Sequence, residues 1–165
     1  MVQNKRAPLS LKLQADKGFF GIMKNEMKNV VKVIMYIYRD NNRRKEFFVL
    51  HRKRGDCVVL TGHVGDNEKI KNESLEDAAK RETIEELGVE PMSIIDLKTK
   101  IYVEIKRNNQ ARYEHAFLIQ IPNKDVYFLE GSEKHKWYSL EELDTNLTYP
   151  NQKKPLNKIR QLIKK

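Results

Sequence analysis

The stretch from Ser74 to Gly88 constrains this chain more than any other part of it. Ser74 followed by Asp77 makes a capping-box-like helix start, Ala78 and Ala79 favour helix, and Gly88 stands where a C-terminal glycine ends one. Projected at about 100° per residue, Leu75, Ala78, Ala79 and Val89 share one face, the face expected to meet a sheet. Glu82, Glu85 and Glu86 fall on or beside that same face. Carboxylates spaced i, i+3 and i+4 repel by roughly a few tenths of a kcal/mol per pair when exposed, and by several more when half-buried without a partner. A fold that docks this helix inward must put positive charge beside it.

Three readings are open. A basic side chain is one, although Lys80 points away and Arg81, at the margin of the face, is placed to neutralise a single acid at most. A divalent cation is the second: hard oxygen ligands with no His or thiolate beside them suit magnesium or manganese, not zinc or copper. A solvated acidic face is the third.

Strand signals surround this helix. Val30 to Tyr38 is β-branched and aromatic, and the turn Arg39-Asp40-Asn41-Asn42 separates it from a second strand at Glu46 to His51. Cys57 to Leu60 is a third apolar run, leading into a glycine-containing loop from Thr61 to Asn72. Further strands are expected at Ile94 to Ile105 and Tyr113 to Ile121, with the polar turn Lys106 to Gln110 between them, and a shorter one at Val126 to Leu129. Ser139 caps a short helix through Leu143, and Pro155 opens a closing helix carrying Leu156, Ile159, Leu162 and Ile163 on one side. In residues 1–28, Leu9, Leu11 and Leu13 alternate as a short leading strand or N-terminal extension would. At 165 residues, without a linker or repeat, the chain is expected to be one domain of α/β class spanning 1–165.

The net charge of +9 favours polyanions, whether nucleotides, nucleic acid or an anionic membrane surface, or serves solubility alone. Cys57 is the single cysteine, so no intramolecular disulfide is possible. The basic start MVQNKRAPLS has no apolar stretch after it, and no segment approaches the roughly 18–20 apolar residues of a membrane span. A cytoplasmic protein outside the membrane is expected.

From Gly62 to Val89 the sequence reads GHVGDNEKIKNESLEDAAKRETIEELGV, which resembles the Nudix box, G-x5-E-x7-R-E-U-x-E-E-x-G-U. Glu73 is followed by seven residues, then Arg81-Glu82, Thr83 at a usually aliphatic position, Glu85-Glu86, Gly88 and Val89. Two departures stand out: ten residues separate Gly62 from Glu73 where the family has five, an insertion around Glu68 to Lys71, and Asn72 replaces a common glycine. Asn visits left-handed backbone cheaply, so the second change is tolerable. LTGHV, YEHAFLIQI and FLEGSEKHKWYSLEEL are similar to the branch with dATP and dihydroneopterin triphosphate pyrophosphohydrolases and diadenosine polyphosphate hydrolases.

The resemblance implies a Nudix-type α/β/α sandwich with a mixed β-sheet, and magnesium- or manganese-dependent hydrolysis of a nucleoside triphosphate or dinucleoside polyphosphate. It implies Glu82 and Glu86 as metal ligands, and Glu85 as a further ligand or as the base for the attacking water. Arg81 and Glu73 are implied as an orienting pair. Gly62 lets the backbone approach the metal, with the Thr61 carbonyl a possible ligand. Many relatives add a glutamate shortly before a Trp; Glu130 and Glu133 both precede Trp137, and Glu130 fits the dATP-type stretch better. Arg52, Lys53 and Arg54 follow the second strand where relatives place phosphate-contacting cations; Arg52 is favoured, and solvated strand-end charge is the alternative. His63, His115, Tyr113 and Trp137 are expected to be structural. Two other functions remain open: an RNA 5′-end pyrophosphohydrolase, encouraged by the basic charge, and a catalytically silent Nudix-like module that binds nucleotide or RNA. The protein is expected to be a monomer or a homodimer.

Overall fold

The β-branched runs pair into one seven-stranded sheet in the computed structural model, which describes residues 27–65, 71–129 and 133–164. The strands are β1 Lys28–Asn41, β2 Arg44–His51, β3 Cys57–Val58, β4 Leu60–His63, β5 Ser93–Ile105, β6 Gln110–Gln120 and β7 Lys134–Tyr138. Their order is β3-β2-β1-β6-β5, with β4 also on β1 and β7 also on β2. β1 and β6 run parallel from Lys28 opposite Gln110 to Tyr38 opposite Gln120, and every other pair is antiparallel. The sheet is therefore mixed.

One edge of β1 is shared between two partners. Tyr38 to Asn41 pair with Phe47 to Arg44, while Lys32 to Met35 pair with His63 to Leu60. This division brings Thr61 and Gly62 back onto the sheet directly before the loop that leads to the helix α1, Leu75–Leu87.

Helices cover both faces. Val33, Met35 and Ile37 pack with Ala78, Ala79 and Leu87 of α1, together with Phe117 and Ile119. Ile34, Tyr36 and Tyr38 pack on the opposite side with Leu140 and Leu143 of α2 (Leu140–Asn146) and Leu156 and Ile159 of α4 (Leu156–Ile163). The arrangement is the expected α/β/α sandwich. Burial on both faces is why Val33 to Ile37 form an unbroken apolar run with no solvent-facing alternation. Each such side chain contributes about 2 kcal/mol of burial free energy before ordering costs.

The caps of α1 follow the sequence. Ser74 Oγ accepts from the Asp77 N–H at 3.0 Å, and Gly88 at φ 63 donates its N–H to the Ile84 carbonyl at 2.8 Å. Ser139 and Glu142 complete a reciprocal capping box at the start of α2.

Four local expectations need correction. The first hairpin turns at Asn42-Arg43, both at positive φ (48° and 67°), not at Arg39 to Asn42. Two left-handed residues match the strand twist in a two-residue turn, which lets pairing continue to Asn41 opposite Arg44. The run Cys57 to Leu60 is split between β3 and β4, and Thr61, Gly62 and His63 belong to β4 instead of a loop. Val126 to Leu129 alternates buried and exposed as a strand would, yet makes no ladder: the Leu129 N–H donates to the Glu86 carbonyl at 2.8 Å, crossing the end of α1. The strand in this region is β7, and a helical turn α3, Pro150–Lys153, precedes α4. The alternation at Leu9 to Leu13 and most of the insertion, Glu68 to Ile70, lie outside the described residues.

Candidate active site

Helical spacing separates Glu82, Glu85 and Glu86 of α1. Glu82 and Glu86, one turn apart, are buried at 8% and 7% exposure, whereas the Glu85 side chain is 49% exposed on the rim. Two carboxylates therefore face the sheet and one faces out. Burial raises the Glu82 carboxyl above its ordinary range, against the lowering effect of Arg81. Among the described residues, no three His, Cys, Asp or Glu side chains already converge as a metal-binding group.

Arg81 does more than its sequence position suggested. Its Nε and Nη2 donate to Glu73 at 2.7 and 3.1 Å, and its Nη1 to Glu82 at 3.0 Å and Glu85 at 2.7 Å. Nη2 also donates to the His63 carbonyl at 2.8 Å. The expectation of a single neutralised acid is thus corrected to three. A planar guanidinium presents five N–H donors in a fork, and Glu73, eight residues back, is brought to it by the loop. Hydrogen bonding from Arg81 holds Glu73 below the usual carboxylate range, and the acids in turn raise the Arg81 pKa. Glu73 Oε2 also accepts the Gly65 N–H at 3.3 Å, so this ion pair ties the loop to the helix.

Gly62 is required by the closeness of Glu82. A Cβ added there would overlap Cγ and Cδ of Glu82 and lie 2.6 Å from Oε2, while the neighbouring His63 N–H donates to Glu82 Oε1 at 3.0 Å. Gly62→Ala is expected to displace the Glu82 carboxylate, with a stability loss of about 1–3 kcal/mol and a larger fall in activity than stability alone explains. Thermal melting and kcat/KM on one preparation check this, and an alanine variant with unchanged kinetics contradicts it.

The site thus combines a strand, a glycine contact, an acid-rich capped helix and an orienting arginine. The sequence model of the NUDIX domain matches residues 28–159, which include every strand and α1. The chain belongs to the Nudix family. It is accordingly a hydrolase of pyrophosphate bonds in nucleotide-linked compounds. The fold is similar to that of the Caenorhabditis elegans Ap4A hydrolase binary complex, at 22% identity and TM-score 0.64, covering 82% of this chain and 98% of that one. The Escherichia coli dihydroneopterin triphosphate pyrophosphohydrolase is also similar, at 18% identity and TM-score 0.60, with 78% and 92% covered. So is the NUDIX domain of Shewanella oneidensis NrtR complexed with ADP ribose, at 14% identity and TM-score 0.60, with 82% and 88% covered. No curated protein matches by sequence.

Around the Nudix helix, Glu86 borders a recess of about 110 Å³ with Arg52, Leu60, Thr61, Phe128 and Glu133. Arg52 thus sits across the recess from Glu86. Of the two glutamates before Trp137, Glu133 borders this recess, and Glu130 lies outside the described residues. Arg54 is turned to Asp56 and the Tyr149 hydroxyl. Trp137 packs edge-on to Phe48 under Arg39, and Tyr113 packs on Tyr102 with Lys100 over its ring. His115 lies on β6 opposite Val33, away from the recess. No helix among the described residues is long and apolar enough to cross a membrane.

Sequence reasoning missed the opposite face of the sheet, where Lys32 (8% exposed) and Glu114 (6% exposed) are buried opposite each other in register. The signal was present for Lys32, a charge set inside the apolar run from Val30 to Tyr38, but not for Glu114, whose neighbours on β6 include Arg112 and His115.

Proposed function

We propose that this Nudix hydrolase splits a phosphoanhydride of a nucleoside triphosphate or dinucleoside polyphosphate with the help of a divalent cation. The observation that carries this is the pair of buried carboxylates on the inner face of a helix, Glu82 against Gly62 and Glu86 in a recess shared with Arg52. The residues fit such an ion: hard oxygen donors dominate, and α1 itself presents no imidazole or thiolate. Glu82 and Glu86 would hold it, with Glu133 or Glu130 and the Thr61 carbonyl as further oxygen donors. Bound there, a divalent cation supplies charge neutralisation of the phosphate oxygens and acidifies water. The rest is done by the chain. Arg52 binds phosphate, Arg81 and Glu73 keep the loop and Glu82 aligned, and Glu85, held by Arg81 through Oε2, takes the proton from the attacking water. We read residues 1–165 as one domain.

The Ap4A hydrolase and the dihydroneopterin triphosphate pyrophosphohydrolase among the similar structures support the choice of substrate class. The test is a panel of nucleoside triphosphates, dinucleoside polyphosphates and 5′-triphosphorylated RNA, each with magnesium, with manganese and with chelator. Hydrolysis that requires the cation, with a rate profile rising toward neutral or alkaline pH, is expected. Cleavage confined to the RNA would replace the proposed substrate, and a maximum near about pH 5 would remove a glutamate base of this kind.

A further inference from the structure

On the face of the sheet opposite α1 lies a cavity of about 260 Å³. Arg52, Arg54, Arg107 and Arg112 line it, together with Glu114, Tyr149, Gln152 and the apolar side chains of Val58, Val103 and Ile105. Its volume is near the lower end of small-molecule sites, about 300 Å³. It adjoins the acid recess, because Arg52 and Thr61 border both. Lys32 is within electrostatic reach of Glu82, Glu114, Arg112 and Arg52.

Two demands meet in this cavity. The four guanidinium groups outnumber the local acids: Arg54 and, at 4.0 Å, Arg52 share the one carboxylate of Asp56, while Arg107 and Arg112 form no ion pair among the described residues. That surplus calls for an anion. Glu114, however, is 94% buried by its 6% exposure, and its Oε2 has no hydrogen-bond partner. A buried carboxylate oxygen without a donor is costly, and it repels phosphate, so inorganic polyphosphate alone does not satisfy this site. A nucleotide answers both demands at once. Its phosphates meet arginine, its base edge carries N–H donors, and guanidinium planes and Tyr149 offer surfaces for stacking.

We propose that this cavity receives the nucleoside end of the substrate, and that Glu114 determines base specificity by accepting N–H donors from the base edge. The inference rests on the phosphoanhydrolase reading and deepens it. With the scissile anhydride at Glu82 and Glu86, the remaining phosphate runs past Arg52 and Thr61, and the base enters between Arg112 and Tyr149. Bases with an exocyclic amino group satisfy Glu114, whereas uracil flanks its one N–H with two carbonyls that oppose the carboxylate. Guanine, with adjacent ring N–H and amino donors, suits it best.

The test is equilibrium binding of ADP, GDP, CDP, UDP and inorganic pyrophosphate in chelator, where no cation and no hydrolysis contribute. Wild-type protein is expected to bind GDP at least about tenfold more tightly than UDP, the scale of one hydrogen bond to a charged group. Glu114→Gln, which keeps shape but adds donors, is expected to shrink that ratio to about threefold or less, or to invert it, while pyrophosphate binding grows no weaker, because the charge that repels phosphate is gone. Arg107→Ala, outside the buried network, is expected to weaken all four nucleotides alike and covers the case in which Glu114→Gln does not fold. Four diphosphates of equal affinity in the wild type, or a Glu114→Gln ratio equal to that of the wild type, overturn the proposal. Discrimination in chelator with no hydrolysis in the cation panel removes the proposed reaction and keeps the pocket. Hydrolysis without discrimination does the reverse.

Discussion

Glu86→Gln is expected to lower kcat/KM by at least about a hundredfold, since even residues that only support a metal ligand typically cost about 10–100-fold when lost. Stability should move the other way. Glu82 and Glu86 stand one turn apart with both side chains buried, and like charges in that relation destabilise a helix. Gln keeps the volume and removes one of the two charges. The cation-free variant is therefore expected to melt at or above the wild-type temperature. Wild-type protein should gain stability on adding magnesium or manganese, because a ligand bound only by the folded state raises its melting point, and the variant should lose most of that gain. A variant that melts lower and hydrolyses normally would place Glu86 in the packing and outside the chemistry. The opposing signs make the experiment decisive, since simple unfolding lowers both quantities.

Arg81→Ala is the second large effect, and here stability falls with activity. The side chain is only 20% exposed and joins three carboxylates to a carbonyl. Its removal leaves Glu82 buried and Glu73 unpaired, and breaking a buried pair from one side costs about 3 kcal/mol. At roughly 2–4 °C per kcal/mol for a chain of this size, the melting point should drop by about 10 °C. The loss depends on pH. Glu73 is held below its ordinary value of 4.5, so the stability it draws from Arg81 is fully present above that value. It disappears as pH falls through the lowered folded value. The gap between wild type and variant should therefore narrow on acidification below about pH 4.5. A gap that widens there would mean that Arg81 stabilises chiefly through packing of its stem.

Some of these features were written locally. The start and stop of α1 could be read because a cap is a contact between neighbours in sequence: Ser74 with Asp77, Gly88 with Ile84. The long strands could be read because residues buried on both faces leave a continuous apolar run. The turn at Asn42-Arg43 was misplaced by two residues because Arg39, Asp40 and Asn41 look like turn residues, yet they pair in the ladder and their charges are met across it. Arg39 pairs with Glu46, and Lys45 with Asp40. Val126 to Leu129 has the alternation of a strand but meets the end of a helix instead of a free sheet edge. No period in the sequence encodes what lies opposite.

The candidate site divides along the same line. By itself the sequence determined the Nudix spacing, the capped acid helix, and the two-sided sheet that this helix must cover, since each depends on residues a few positions apart. Tertiary structure decided which acids point inward, that Arg81 serves three of them, that Gly62 must lack a Cβ to admit Glu82, and that Arg52, Arg107, Arg112 and Glu114 share one cavity. Gly62 and Glu82, like Arg52 and Glu114, are distant in the chain and meet only through strand pairing and helix packing, and the register of that pairing is set by which face of each strand is buried.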